Sequence, residues 1–394
     1  MLARQTYLDA WAAAMFAGRF ARAGTLREVS RAATAALQPT SARRPSDLLL
    51  DGLAVLVTEG RAAAASLLRR AAGVFGEEEI AMKEGLRWGW GTIAAIELWD
   101  LENWHQRHVR QLQAVREAGL LVQGPINLHS LGTTATWRGE FATAGSLIAE
   151  ADAIAEATGS RFPRYAAVTL AGFRGNEAEA SALIEVEVRN ASAAGQGIGI
   201  QWCQWTSGIL YNGLGRYEEA LVEARAASEQ APELYVSAWA LAELIEAATR
   251  TGETRLAGEA LERLAEATSI GDSDWGLGIL ARSRALLTAG QDAEGFYREA
   301  IVRLSRTQLR PELARAQLVY GEWLRPRGPA GGRTRAAARS ARAVRVDRNG
   351  GVRRASPTGA VGHGRDCPQA HPRDTRRAHP TRGPDRRPRA RRPV

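Results

Sequence analysis

The chain has a single lysine, Lys83, among 394 residues. A phosphate-cradling GxxxxGK(S/T) loop needs that side chain, and Lys83 lies in IAMKEGL, which reads as helix, so no such loop is encoded. Cysteine is nearly as scarce. Cys203 and Cys367 cannot build a disulfide framework, which fits a reducing compartment and makes cytoplasmic location the expectation. No stretch approaches about 18 uninterrupted apolar residues. The N-terminal MLARQTYLDAWAAAMF lacks a basic n-region, so neither a signal peptide nor membrane association is expected. Before residue 326 proline is rare, β-branched runs are rarer, and no strand alternation is sustained, so the fold class is all-α.

The formal charge of +9 suggests nucleic acid until its distribution is read. Residues 326–394 hold 19 Arg and 4 Asp, a charge of +15. Residues 1–325 hold 33 basic and 39 acidic side chains, a charge of −6. An acidic body gives no electrostatic case for binding nucleic acid.

What is abundant is a repeated turn. In QWCQWTSGILYNGLGRYEEALVEARAASEQAP (201–232) a helix, a turn at Leu214–Gly215 and a second helix closing at Pro232 are legible. Gly208, Ala220 and Ala227 are small where antiparallel helices must approach, and Tyr211 and Tyr217 fill wider gaps, a tetratricopeptide pattern. The same turn, a glycine followed five residues later by a small residue, recurs at Gly18, Gly60, Gly139, Gly175, Gly215, Gly252 and Gly290. The interval of 79 between Gly60 and Gly139 holds a missing turn near Asp100, in WDLENWHQ. Eight turns at a period of roughly 38 residues predict an α-solenoid of tetratricopeptide-like helix pairs over residues 1–325. Leu256, Ala260, Leu261, Leu264 and Ala267 form one apolar stripe that a lone pair cannot bury, so neighbouring units must stack. Ser46 and Ser273 or Asp274 are the expected N-caps of the helices that follow them.

From residue 326 the character changes. The tail contains no Leu, Ile, Phe, Tyr, Trp or Met and 9 of the 15 prolines, so it is expected to be disordered. Its Arg/Pro/Ala/Gly composition is also that of a GC-rich gene read out of frame. A one-base shift, with codons chosen among degenerate ones, permits a further amphipathic helix pair followed by LTPPEAQIA.

Several stretches carry a family resemblance: DLLLDGLAVLVTEG (47–60), EGLRWGW (84–90), ELWDLENWH (97–105), EASALIE (179–185), LYNGLGRYEEAL (210–221), SAWALAELIEAATRTG (237–252), ALERLAEAT (260–268) and LARAQLVYGEWLR (313–325). Together they resemble the helical-repeat region of large ATP-binding LuxR-type transcriptional regulators, the MalT-like class. The resemblance implies transcription regulation, with the repeats sensing an inducer between an ATPase and a helix-turn-helix. This chain departs from that pattern at both ends. It lacks the phosphate-loop lysine, and the tail as translated has no Leu, Ile, Phe, Tyr, Trp or Met from which to build a DNA reader. The expectation is therefore a sensor or interaction segment, truncated at both ends and frameshifted, that is not an enzyme, needs no cofactor and does not recognise DNA sequence alone. A freestanding tetratricopeptide-like adaptor binding a peptide or protein partner in its concave groove is the alternative.

All eleven tryptophans precede residue 326, and most are expected to pack between helices. Those on the first helix of a pair would face the concave groove where such arrays bind peptides or small molecules. Trp88, Asn127, Trp202, Trp205 and Trp239 are the candidate groove surface for a protein or small-molecule inducer, with self-association left open. Trp104, His105 and His108 form a WHxxH whose two imidazoles share a helix face, but two ligands do not complete a metal site. His363, Cys367, His371 and His379 have zinc-like spacing without an apolar shell, so no metal is expected there. GQGIG (195–199) has no preceding strand, which argues against a dinucleotide loop.

Overall fold

Gly215 has φ +74° and sits where α11 (Gly197–Leu214) hands over to α12 (Tyr217–Ser228). Its amide donates to the Asn212 carbonyl and the next amide, of Arg216, reaches back to Tyr211, closing the helix end with the left-handed residue glycine tolerates best. All seven glycines of the recurring turn have positive φ.

In the computed structural model the described residues are 2–36, 44–74, 91–159, 162–229 and 233–325. They all belong to one compact unit. The expected disordered tail (326–394), Lys83, Trp88 and Pro232 lie outside the described residues. The described residues form α-helices joined by turns and short 3-10 segments, with no strand among them.

The helices come in consecutive pairs: α1 (Leu2–Ala17) with α2 (Thr25–Ala35), α3 (Pro45–Thr58) with α4 (Arg61–Val74), and α5 (Gly91–Glu97) with α6 (Leu101–Glu117). Then come α7 (Gly124–Trp137) with α8 (Phe141–Thr158), α9 (Tyr165–Arg174) with α10 (Glu177–Ala193), and α11 with α12. The last are α13 (Val236–Thr251) with α14 (Thr254–Thr268), α15 (Asp274–Leu287) with α16 (Ala293–Ser305), and α17 (Arg310–Trp323), the final helix among the described residues.

The missing turn lies where the spacing places it, and it is built without glycine. Trp99 has φ +56° between α5 and α6. Its amide donates to Ile96 and that of Asp100 to Ala95, the bonding pattern seen at Gly215. Asp100 then caps α6, its carboxylate accepting from the Asn103 amide at 3.0 Å. Ser273 caps α15 through the Gly276 amide at 3.1 Å. Ser46 is not a cap. α3 is capped at Arg44 and starts at Pro45, two residues before a Ser46 cap would start it. The missing N–H of Pro45 suits the first turn, and Asp47 reaches back to the Arg44 amide at 3.2 Å.

First helices pack on first helices, forming an inner row of α7, α9, α11, α13 and α15. Small residues set the approach. Gly208 of α11 faces Ala224 of α12, with Ala220 and Ala227 fully buried beside it. A Cβ on Gly172 would lie 2.4 Å from Thr206 Cγ2. On α14, Ala260, Leu264 and Ala267 are buried and Leu256 and Leu261 half-buried, matching the predicted stripe. Tyr211 and Tyr217 are half-buried, and each ring is covered by a guanidinium, Arg216 and Arg250 respectively.

The row also meets itself. α1 contacts α11, and α17 contacts α7. A Cβ on Gly197 would sit 2.3 Å from the Ala17 carbonyl oxygen, and one on Gly271 would sit 2.6 Å from that of Leu98. Only glycine allows backbones from such distant positions to come so near.

Candidate functional site

Seven tryptophans converge on the inner row: Trp99 from the α5–α6 linker, Trp104 on α6, Trp137 on α7, Trp202 and Trp205 on α11, Trp239 on α13 and Trp275 on α15. All are 2 to 5 % exposed. Trp239 is the hub, with ring centroids 4.7 Å from Trp137, 5.4 Å from Trp205, 5.8 Å from Trp104, 5.9 Å from Trp202 and 6.1 Å from Trp275. Across the cluster most contacts are edge-to-face, the arrangement the ring quadrupole favours. Trp202, Trp239 and Trp275 are spaced by 37 and 36 residues, the repeat period itself, and that spacing is the signal that predicts their convergence.

Trp202, Trp205 and Trp239 are thus brought together, but not as an open groove surface. With α1 against α11 and α17 against α7, the space they face is filled by other indoles. What remains beside Trp205, Trp239 and Trp275 is about 20 Å³, the scale of one water molecule. Charged groups border it. Asn212 Nδ2 donates to Glu243 Oε2 at 2.8 Å, and Arg282 pairs with Glu312. Arg315 Nε reaches Glu246 Oε2 at 3.0 Å. Burial raises the Glu243 carboxyl above its ordinary value. At Glu246 burial acts the same way, but Arg315 and Arg282 outweigh it and hold the carboxyl low.

Asn127 is also not on a groove. It is fully buried, its Oδ1 accepting from His108 Nδ1 at 2.9 Å and its Nδ2 donating to the Gln123 carbonyl at 3.1 Å. Thr92 Oγ1 supplies the remaining ring nitrogen, Nε2, at 3.2 Å. This network fits the neutral imidazole with its proton on Nδ1. Burial lowers the His108 pKa to about 4. His105, the other imidazole of the WHxxH, pairs with Thr134 Oγ1 at 2.8 Å.

The larger space is a cleft of about 500 Å³ that residue-type patterns alone did not indicate. It opens between the α1–α2 turn and the α11–α13 region. Met15, Ile198, Leu234 and Tyr235 give it apolar walls, Gln201 and Ser237 polar ones. Arg19, Arg22 and Arg27 line its α1–α2 side. Gln201 is fixed by donating to the Ala227 carbonyl at 2.6 Å and to Ser237 Oγ at 2.7 Å.

Tyr235 is the strained element of that wall, at φ +59° and ψ −113° just before α13. Glu97 holds it there. One carboxylate oxygen accepts the Tyr235 amide at 2.8 Å and the other accepts Arg61 Nη1 at 2.9 Å. Arg61 also donates to the Glu233 carbonyl, so α4 and α5 jointly pin the linker that shapes the cleft. Burial pushes the Glu97 carboxyl up despite Arg61. The Tyr235 ring lies 4.8 Å from Trp239 and 5.7 Å from Trp202, which couples the cleft wall to the tryptophan cluster.

Among the described residues there is no group of three or more His, Cys, Asp or Glu able to hold a metal ion. Cys203 is buried, and burial pushes its thiol up to about 12, far from a reactive thiolate. No helix among the described residues is long and apolar enough to cross a membrane. Comparison with protein-family models gave no match, and comparison with curated proteins gave none either.

Proposed function

We propose that this chain is the sensor and interaction segment of a LuxR-type transcriptional regulator, an α-solenoid of tetratricopeptide-like pairs working in the cytoplasm. The stretches that carry the family resemblance support this reading by where they fall. LYNGLGRYEEAL forms the α11–α12 joint, SAWALAELIEAATRTG is α13 with its turn, and ELWDLENWH supplies both Glu97 and Trp99. The observation that carries the reading is the 500 Å³ cleft whose wall is tied to these same elements. Occupancy there would bias how α1 and α2 sit on α11, a local change that a repeat array passes to its neighbours. No phosphate-loop lysine is present, so the chain itself is proposed neither to hydrolyse ATP nor to read a promoter.

Deleting the coding sequence and measuring transcripts tests the role. A small gene set should change expression, and an unchanged transcript profile rejects the regulator reading. In gel shifts the full chain should bind duplex DNA only weakly and with loss at physiological salt. A specific complex that survives removal of 326–394 would contradict that.

The adaptor reading draws on a different surface. Leu121 and Val122, 57 % and 67 % exposed, lie beside Leu120 and Ile126 ahead of and within α7, an apolar patch suited to a protein partner. Affinity capture of one stoichiometric protein, lost on substituting Leu121 and Val122 with Ser, would favour it.

A further inference from the structure

The charges around the cleft are not balanced. Arg22 is paired with Glu28, and Glu229 with Arg225 at 2.6 Å, so these four cancel. Arg19 donates only to the neutral Gln204 Oε1, at 2.9 Å, and Arg27 has no partner among the described residues. Two guanidiniums thus stand over an apolar floor of Met15, Ile198 and Tyr235 in a space of about 500 Å³, within the usual range for small-ligand sites. The two sides of the cleft come from positions some 180 residues apart, joined at the Gly197–Ala17 contact and the Arg19–Gln204 bond. Strain at Tyr235, held by Glu97, is placed on the wall that a ligand would touch.

We propose that this cleft binds a small amphipathic carboxylate, its head on Arg19 and Arg27 and its apolar body against Met15, Ile198 and Tyr235. The planar fork of arginine matches a carboxylate, and each charge-assisted bond is about twice as strong as a neutral one. A neutral ligand would gain nothing from the two cations, and a cationic one would be repelled. This names the inducer class for the sensor reading and rests on that reading for its biological role only, because binding is measured on the purified chain.

The test is a titration of the full chain with octanoate and indole-3-acetate, using octanol and octyltrimethylammonium as uncharged and cationic controls. Calorimetry and tryptophan emission serve as readouts, since the Tyr235 ring packs at a tilt against the tryptophan cluster. At least one carboxylate should saturate with Kd below about 1 mM and shift the emission. The Arg19→Gln, Arg27→Gln double variant should weaken it at least tenfold without changing the octanol response. Ala23→Glu, an exposed change on the cleft lining, should weaken it in the same direction. Unchanged circular dichroism confirms that these surface variants fold. The proposal is overturned if neither carboxylate saturates below that limit, if the double variant binds as tightly as the parent, or if octanol or the cation binds as well. Those outcomes remove the cleft assignment, whereas the regulator reading falls only to the transcript measurement.

Discussion

Trp99 occupies a backbone conformation that all seven of its counterparts delegate to glycine at positive φ, and it does so for the sake of its indole. Nε1 donates to the Ala267 carbonyl at 3.0 Å, and the ring packs edge-on to Trp275 at 5.0 Å. Trp99→Gly relieves roughly 1–2 kcal/mol of left-handed strain, but losing a buried indole costs about 3–5 kcal/mol. Net destabilisation of about 1–4 kcal/mol in urea unfolding is expected; a stabilised variant would show that the ring contributes little. His108 and His129 set the acid limit. Both are buried, and burial lowers each pKa to about 4, below the ordinary 6.5. The unfolded chain therefore takes up protons first as pH falls, so their stability contribution is complete above pH 6.5 and is lost between about 6.5 and 4. Tm should fall across that window, and His108→Gln should flatten part of the decline. A Tm independent of pH there would contradict the burial of both rings.

Helices are tied to one another by two devices, close backbone approach and buried polar clamps. Arg61, on α4, clamps Glu97 at the end of α5, and Glu97 holds the linker before α13. Glu97→Ala leaves a buried guanidinium uncompensated, so a loss of about 3–5 kcal/mol is expected, together with altered tryptophan emission as Tyr235 is released. Wild-type stability in that variant would show the clamp to be idle. Gly197→Val should separate α11 from the end of α1 and expose the first 35 residues to protease, where the wild type resists. The pairing of elements was legible in the sequence because a left-handed residue at the helix end leaves a glycine at a regular interval. The turn at Trp99 could be placed only by counting, since nothing local distinguishes a tryptophan in that conformation. Ser46 misleads because serine is a common cap, while Pro45 and Asp47 together start the helix two residues earlier than a Ser46 cap would. Asn127 misleads because an amide on a first helix looks like a ligand contact, whereas its partner, His108, lies 19 residues back.

At the scale of the whole described unit, the question is whether the inner row stays open. An open row would leave Trp202, Trp205 and Trp239 facing a groove, as their placement on first helices implies. Contact between α1 and α11 and between α17 and α7 instead packs them together, and the same contact creates the cleft at its edge. The α1–α11 contact depends on the glycine at 197, which no periodicity marks, so the candidate site was the part of the molecule least readable from the chain alone. It is tested most directly by spin labels on Arg19→Cys and Gln204→Cys, in a chain also carrying Cys203→Ala and Cys367→Ala. These positions are hydrogen-bonded across the junction at 2.9 Å. Pulsed dipolar spectroscopy should give one narrow, short distance between them. A broad distribution at long separation would mean that the first helix does not dock on the sixth pair, and the cleft would go with it.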